Sequence, residues 1–131
     1  MNKLEVLSAT SLLLSVAISD EIIEKSELKC INDIIVDFFQ LDSTDIGNRI
    51  IKESLSNLNQ STDIFEFGKA LNNIWTYEDK IDFITCTFEV ALSDKNIHYL
   101  EDHTIKKISG ILNINHTDLI NSKIKILKKL R

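Results

Sequence analysis

The chain has 131 residues, of which 44% are hydrophobic and 27% are charged. That balance is typical of one folded domain with a substantial core and excludes an intrinsically disordered chain. The formal net charge is −5, but residues 1–122 hold ten basic against twenty acidic side chains, because the other five basic residues follow position 122. An acidic body is a poor partner for a phosphate backbone, so we do not expect nucleic-acid binding.

Turn-forming residues are almost missing from the chain. It has no proline, and its three glycines stand at positions 47, 68 and 110. Sheets need turns that favour these residues, so we predict an all-α fold, a single-domain bundle of six to seven helices. In chain order, the predicted helices cover 3–18, 24–39, 44–58, 63–75, 77–92, 98–112 and 117–129.

Apolar residues at helical spacing predict which face of each helix points inward. In the first helix they are Leu4, Leu7, Leu13, Leu14 and Ala17. In the fourth helix they include Ile74, and in the last helix they are Leu119, Ile120, Ile124, Leu127 and Leu130.

Two links between helices carry helix-start signals. Thr76 is followed three residues later by Asp79, which predicts a capping box at the start of the fifth helix. Asp42 or Ser43 is the predicted N-cap of the third helix.

A nine-residue pattern, Ser-Asp-x-x-Ile-x-x-x-Glu, occurs at 19–27 and again at 93–101, each time after Val-Ala and one apolar residue. Eight of the nineteen positions from 16 to 34 are identical to those 74 residues later. The links at 40–46 and 113–119 match as well, with an offset of 73. We therefore predict two related three-helix halves, joined by the fourth helix and related by an internal pseudo-twofold repeat.

The repeated motif resembles the Ala-Asp-Gly-x-Ile-x-x-x-Glu signature of the TerB-like proteins, a bacterial all-helical family named for tellurite resistance. The resemblance covers nearly the whole chain and implies one TerB-like helical domain over residues 1–131. It also implies a role in metal-ion or stress response, without a defined biochemical activity. The glycine of the family signature is replaced by Glu21 in the first copy and by Lys95 in the second.

Acidic residues of the two motif copies are the candidate metal ligands. They are Asp20, Glu24 and Glu27 in the first copy and Asp94 and Glu101 in the second. The resemblance implies four of them as a cation site, and Glu24 adds a neighbouring carboxylate. Hard divalent cations prefer several oxygen ligands of this kind. We call the turn at each motif copy an acidic corner, the first at 19–27 and the second at 93–101. We therefore predict a divalent-cation site that is stronger at the first acidic corner, because Lys95 adds a positive charge to the second.

The same carboxylates have a second interpretation that needs no ion. Glu24 and His98 stand at predicted N-caps, so Glu27 and Glu101 stand at the third position of their helices. A glutamate there can accept the backbone N–H of the cap residue, and it gains from the helix dipole. Both interpretations stay open at this stage.

Other candidate residues have mainly structural interpretations. His98, Asp102 and His103 could supply half of a transition-metal site, but such residues on an acidic helix are usually solvated. Trp75 and Tyr77, between the fourth and fifth helices, are predicted to pack that corner or else to contact a partner. No catalytic motif is present, so we expect a non-enzymatic module with a protein partner. It either responds to a divalent cation or is a protein-interaction scaffold with no bound ion.

Cys30 and Cys86 have no paired spacing, which favours two small core residues in a reducing compartment. The uncharged run 6–19 imitates a signal peptide, but Glu5 stands where a positive flank belongs and Val-Ala-x-Ser-Asp recurs at 90–94. No apolar run approaches the ~20 residues of a membrane span, so we expect a cytoplasmic protein. The basic residues after position 122 favour pairing with the helix dipole, with weak membrane-surface contact as the alternative.

Overall fold

Seven α-helices make up the part of the chain that the computed structural model describes, which is residues 2–18, 23–60, 64–93 and 99–129. They are α1 (Lys3–Ala17), α2 (Lys25–Phe38), α3 (Thr44–Gln60), α4 (Ile64–Ile74), α5 (Tyr77–Ala91), α6 (Tyr99–Ile111) and α7 (His116–Lys129). These ranges contain no strand. The all-α prediction is therefore confirmed, and the helix ends agree with the predicted ones to within two residues.

Helix α1 is the centre of the bundle. It contacts α2, α3, α4, α5 and α6, and every residue from Ser8 to Ala17 is buried. A helix enclosed on all sides cannot hold unpaired charges without a large desolvation cost, which explains why this stretch of sequence has none. Two of its hydroxyl groups are satisfied within the helix, since Thr10 and Ser15 each donate to the carbonyl four residues earlier at 2.8 Å.

Some residues that the apolar pattern places inward are exposed. Leu4 is 58% exposed because burial in α1 begins only at Val6. Ile74 is 44% exposed because it is the last residue of α4, and Trp75 takes the inward position instead. The predicted inward stripes are wrong at these two helix ends.

The predicted inward face of α7 is correct at Leu119 and wrong at Ile120, Ile124 and Leu127. Its buried residues are Leu119, Ser122 and Ile126, and its exposed large apolar residues are Ile120, Ile124 and Leu127. Leu130 lies outside the described residues. A pattern that counts only apolar residues misses the serine at the centre of the buried face. Burial of Ser122 leaves no unsatisfied hydroxyl group, because its hydroxyl donates to the Asp118 carbonyl at 3.0 Å.

The two predicted halves share several local features. Five pairs of identical residues, 74 positions apart, are buried in both copies: 16/90, 17/91, 27/101, 31/105 and 34/108. Helices α2 and α6 also end alike, because Gln40 and Asn113 both have positive φ, at 52° and 59°. The residue after each donates its N–H five positions back, a Schellman-type ending. The pseudo-twofold repeat of the complete halves stays a prediction that these features support.

Both predicted helix-start signals have the expected hydrogen bonds. Thr76 Oγ1 accepts the Asp79 N–H at 3.2 Å, and Asp79 Oδ2 accepts the Thr76 N–H at 3.1 Å. Ser43 Oγ accepts the Ile46 N–H at 3.3 Å, so the serine, not Asp42, caps α3.

Close contact between α4 and α6 depends on a glycine. A Cβ atom added to Gly68 would lie 2.5 Å from Ile111 Cγ2 and 3.2 Å from Ile111 Cβ. At Gly110, on the exposed side of α6, an added Cβ would meet no atom within 4 Å. Within the described ranges, no helix is both long enough and apolar enough to cross a membrane.

Candidate functional site

The first acidic corner is the start of α2. Glu24 has extended backbone, with φ −83° and ψ 152°, and occupies the N-cap. The Glu27 carboxylate accepts the Glu24 backbone N–H at 3.0 Å and is only 2% exposed. This is the reciprocal contact of a capping box, as the capping interpretation predicts for these two residues. Asp20 and Glu21 lie outside the described residues.

Glu101 holds the matching position in the first turn of α6 and is fully buried, at 0% exposure. Taking a carboxylate out of water is costly unless hydrogen bonds or a positive charge offset the cost. Glu27 and Glu101 are therefore two buried carboxylates at equivalent positions of the repeated motif. Asp94, Lys95 and His98 lie outside the described residues.

The described residues do not by themselves complete a metal site. Within 2–18, 23–60, 64–93 and 99–129, no three His, Cys, Asp or Glu side chains are grouped so that they could hold a metal ion. The predicted ligand sets need Asp20 or Asp94, which fall in the links between the described ranges. The metal-site prediction therefore stays a prediction.

Two residues of the predicted transition-metal set, Asp102 and His103, have other contacts. Asp102 accepts ion pairs from Lys106 at 3.2 Å and from Lys123 at 3.3 Å. The His103 ring stacks on Tyr99 with centroids 6.4 Å apart. Asp102 therefore links α6 to α7, and the transition-metal interpretation gains no support from these two residues.

Trp75 packs the turn between α4 and α5. It is 8% exposed, and its ring centroid lies 5.0 Å from that of Phe83 and 5.5 Å from that of Phe38. Its Nε1–H donates to Glu5 Oε2 at 3.0 Å, which fastens this turn to α1. The corner-packing interpretation is therefore confirmed for Trp75, because its ring is buried against Phe38 and Phe83.

Tyr77 is 42% exposed, yet its hydroxyl group already has two contacts. It donates to Asp118 and accepts the Asn115 backbone N–H at 3.0 Å. The hydrogen bond to the Asp118 carboxylate raises the pKa of Tyr77. Tyr77 thus attaches α5 to the start of α7.

Cys30 and Cys86 meet in one groove between α2 and α5. The groove has a cavity volume of about 360 Å³ and is lined by both cysteines together with Asp33, Asp37 and Glu89. Burial, together with the neighbouring Glu89 carboxylate as a smaller cause, raises the pKa of each thiol to about 12. The cysteines pack against the core but are only partly buried. Sequence reasoning missed this pair, because two single cysteines on different helices carry no local signature.

The described residues form an all-helical bundle, and the repeated acidic motif places a buried glutamate at the start of two helices. This is the all-helical class of domain that the resemblance of the motif implies. A family model described as "Tellurite resistance protein TerB" matches residues 6–124, from α1 to α7. The chain therefore belongs to the TerB family. No curated protein and no solved structure gives a significant match.

Proposed function

We propose that this chain is a non-enzymatic TerB-family module that responds to a divalent cation through the acidic residues of its two corners. The observation that carries the proposal is the burial of Glu27 and Glu101 at matched helix starts, 2% and 0% exposed. Buried carboxylates are typical of sites where a cation or a set of hydrogen bonds offsets desolvation. The family description supports the further proposal that this response serves tellurite or stress resistance in the cytoplasm.

Capping and cation binding are compatible at the first corner. A carboxylate has two oxygens with about four lone-pair sites, so one glutamate can accept an N–H and still coordinate an ion. Glu27 uses Oε1 for the Glu24 N–H. Glu24 is exposed at the N-cap, and Asp20 stands four residues earlier in the sequence. These three carboxylates would supply the hard oxygen ligands that Mg²⁺, Ca²⁺ or Mn²⁺ prefers.

A thermal melt of chelator-treated protein tests the cation response. Binding to the native state alone, at a concentration 100-fold above the dissociation constant, adds about 2.7 kcal/mol to the free energy of unfolding. We expect a rise in melting temperature of several degrees with one of Mg²⁺, Ca²⁺, Mn²⁺ or Zn²⁺. Asp20→Asn should abolish the rise, and Asp94→Asn should reduce it less, since Lys95 weakens the second corner.

Asp45→Asn is the matched control, because Asp45 is an exposed carboxylate in the first turn of α3 and belongs to neither corner. It should keep the full response. If no cation raises the melting temperature, while Asp20→Asn and Glu27→Gln lower it even in chelator, the carboxylates are helix caps and the cation proposal is wrong.

The exposed face of α7 favours a second candidate function, docking of an acidic protein partner. Ile120, Ile124 and Leu127 are 36%, 41% and 39% exposed, and their spacing places them on one side of the helix. Exposed Lys125 and Lys128 stand beside this stripe. Helix α7 packs mainly on α5, which leaves the stripe uncovered by other described residues. An apolar stripe flanked by lysines is complementary to an apolar surface rimmed with carboxylates.

Comparing the proteins retained by immobilised wild type and by an α7 variant tests this candidate. Ile124→Ser combined with Leu127→Ser should lose partners that Leu4→Ser retains, since Leu4 is equally an exposed apolar residue but lies on α1. Identical retention by both variants would exclude α7 as the docking surface. Co-sedimentation with phosphatidylglycerol vesicles, lost in the α7 variant, would assign the stripe to a membrane surface instead.

A further inference from the structure

The groove between α2 and α5 is lined by two thiols and by three carboxylates. Cys30 and Cys86 line it from two helices. Asp33, Asp37 and Glu89 surround the thiols, while Lys29 is a basic residue at the same groove. Three carboxylates against one lysine give the groove a negative field, which attracts cations and repels anions.

Thiols and carboxylates differ in the cations that they select. Soft thiolate ligands favour ions such as Cu⁺, whereas carboxylates suit hard ions such as Mg²⁺ and Ca²⁺. No three ligand side chains among the described residues are grouped so that they could hold a metal ion. The groove therefore lacks the set of four N or S ligands that a structural Zn²⁺ requires. Two thiols facing one cavity suit ions that bind two sulfurs in a line.

We propose that Cys30 and Cys86 together bind one soft metal cation of the Cu⁺, Ag⁺ or Hg²⁺ class as a two-coordinate dithiolate. The carboxylates of Asp33, Asp37 and Glu89 do not coordinate the ion in this site. They raise the local concentration of cations and repel anionic thiol reagents. The site is separate from the acidic corners and does not depend on the cation response proposed for them.

Proton balance gives this site a measurable signature. An ordinary cysteine thiol, with a pKa of about 8.5, is mostly protonated at neutral pH, so each thiol must lose its proton when it binds the ion. Binding of Ag⁺ forms two S–Ag bonds and breaks two S–H bonds, so one ion enters and two protons leave. No electron is transferred, and neither an oxidant nor a reductant is needed. Two independent thiols would instead bind two ions and release one proton with each.

Titration with Ag⁺ in a chloride-free nitrate buffer tests the proposal. The full chain is reduced with dithiothreitol, desalted under argon, and followed by native mass spectrometry and by a pH indicator. We expect one Ag⁺ per chain and two protons released per ion. Competition with a monothiol should show that Cys30→Ser and Cys86→Ser each lower the affinity by about 100- to 10,000-fold, because the second sulfur no longer binds intramolecularly.

Asp45→Asn is the matched control, since it removes an exposed carboxylate of α3 outside the groove and leaves both thiols. It should keep one ion and two protons per chain. Two Ag⁺ ions per wild-type chain, or a single serine variant with wild-type affinity, would overturn the proposal. Thermal melts without metal check that the serine variants fold. If a serine variant does not fold, the numbers of ions bound and protons released by the wild type still decide the question.

Discussion

Leu13→Ala is expected to lower the free energy of unfolding by about 2–5 kcal/mol, the range found when a leucine is deleted from a packed core. Leu13 is fully buried in α1, and α1 contacts five other helices, so little of the resulting cavity can close. The melting temperature should fall on the order of 10 °C for a chain of this size. Urea denaturation followed by circular dichroism measures the change, with the slope of the transition unaltered.

Leu4→Ala is the matched control for that experiment. The same side chain is shortened in the same helix, but Leu4 is 58% exposed. Its effect should stay within about 0.5 kcal/mol, as for most surface substitutions. Equal effects of the two variants would mean that α1 does not form the centre of the core.

Gly68→Ala and Gly110→Ala are expected to change stability in opposite directions. The added methyl group at position 68 would overlap Ile111, whose contacting atoms sit close to its backbone and cannot swing away. Overpacking of this kind costs about 1–3 kcal/mol, more than the helix propensity gained by replacing glycine. At position 110 the methyl group points into open space, so the propensity gain of up to ~1 kcal/mol remains.

The two glycine variants should therefore differ by about 1–3 kcal/mol in the same denaturation assay, which is the overpacking cost at position 68, because the propensity gain is common to both. Both substitutions are glycine to alanine in a helix, so effects on the unfolded chain largely cancel in the comparison. Equal stabilities would show that α4 and α6 can move apart at no cost. In that case the contact between Gly68 and Ile111 would not hold the two helices in place.

Local signals in the sequence were sufficient for the helices and their starts. The Thr76 and Asp79 capping box and the Glu24 and Glu27 capping contact depend on residues three positions apart, so short patterns predict them. The other helix ends were likewise predictable from short local patterns. Burial of α1 on every side is also visible in the sequence, as a run without charges, although a one-sided stripe was the wrong description of it.

Features made by packing were not predictable in the same way. The buried face of α7 contains Ser122, and a pattern of apolar residues cannot anticipate a serine satisfied within its own helix. The groove between α2 and α5 joins Cys30 to Cys86 only through the packing of two helices. The acidic motif predicted the capping contact of Glu27, but the burial of Glu27 and Glu101 depends on the surrounding bundle.

The central position of α1 has a consequence for biosynthesis. This helix leaves the ribosome before α5 and α6, two of the elements that cover it in the folded bundle. At about 5–20 residues per second, the intervening chain takes roughly 5–20 seconds to be made. During that time α2, α3 and α4 can cover part of α1, but the sides of α1 that α5 and α6 cover in the folded bundle stay exposed. Newly made chains should therefore present these sides of α1 to chaperones that hold exposed apolar segments, and substitutions that delay the folding of α6 should increase aggregation.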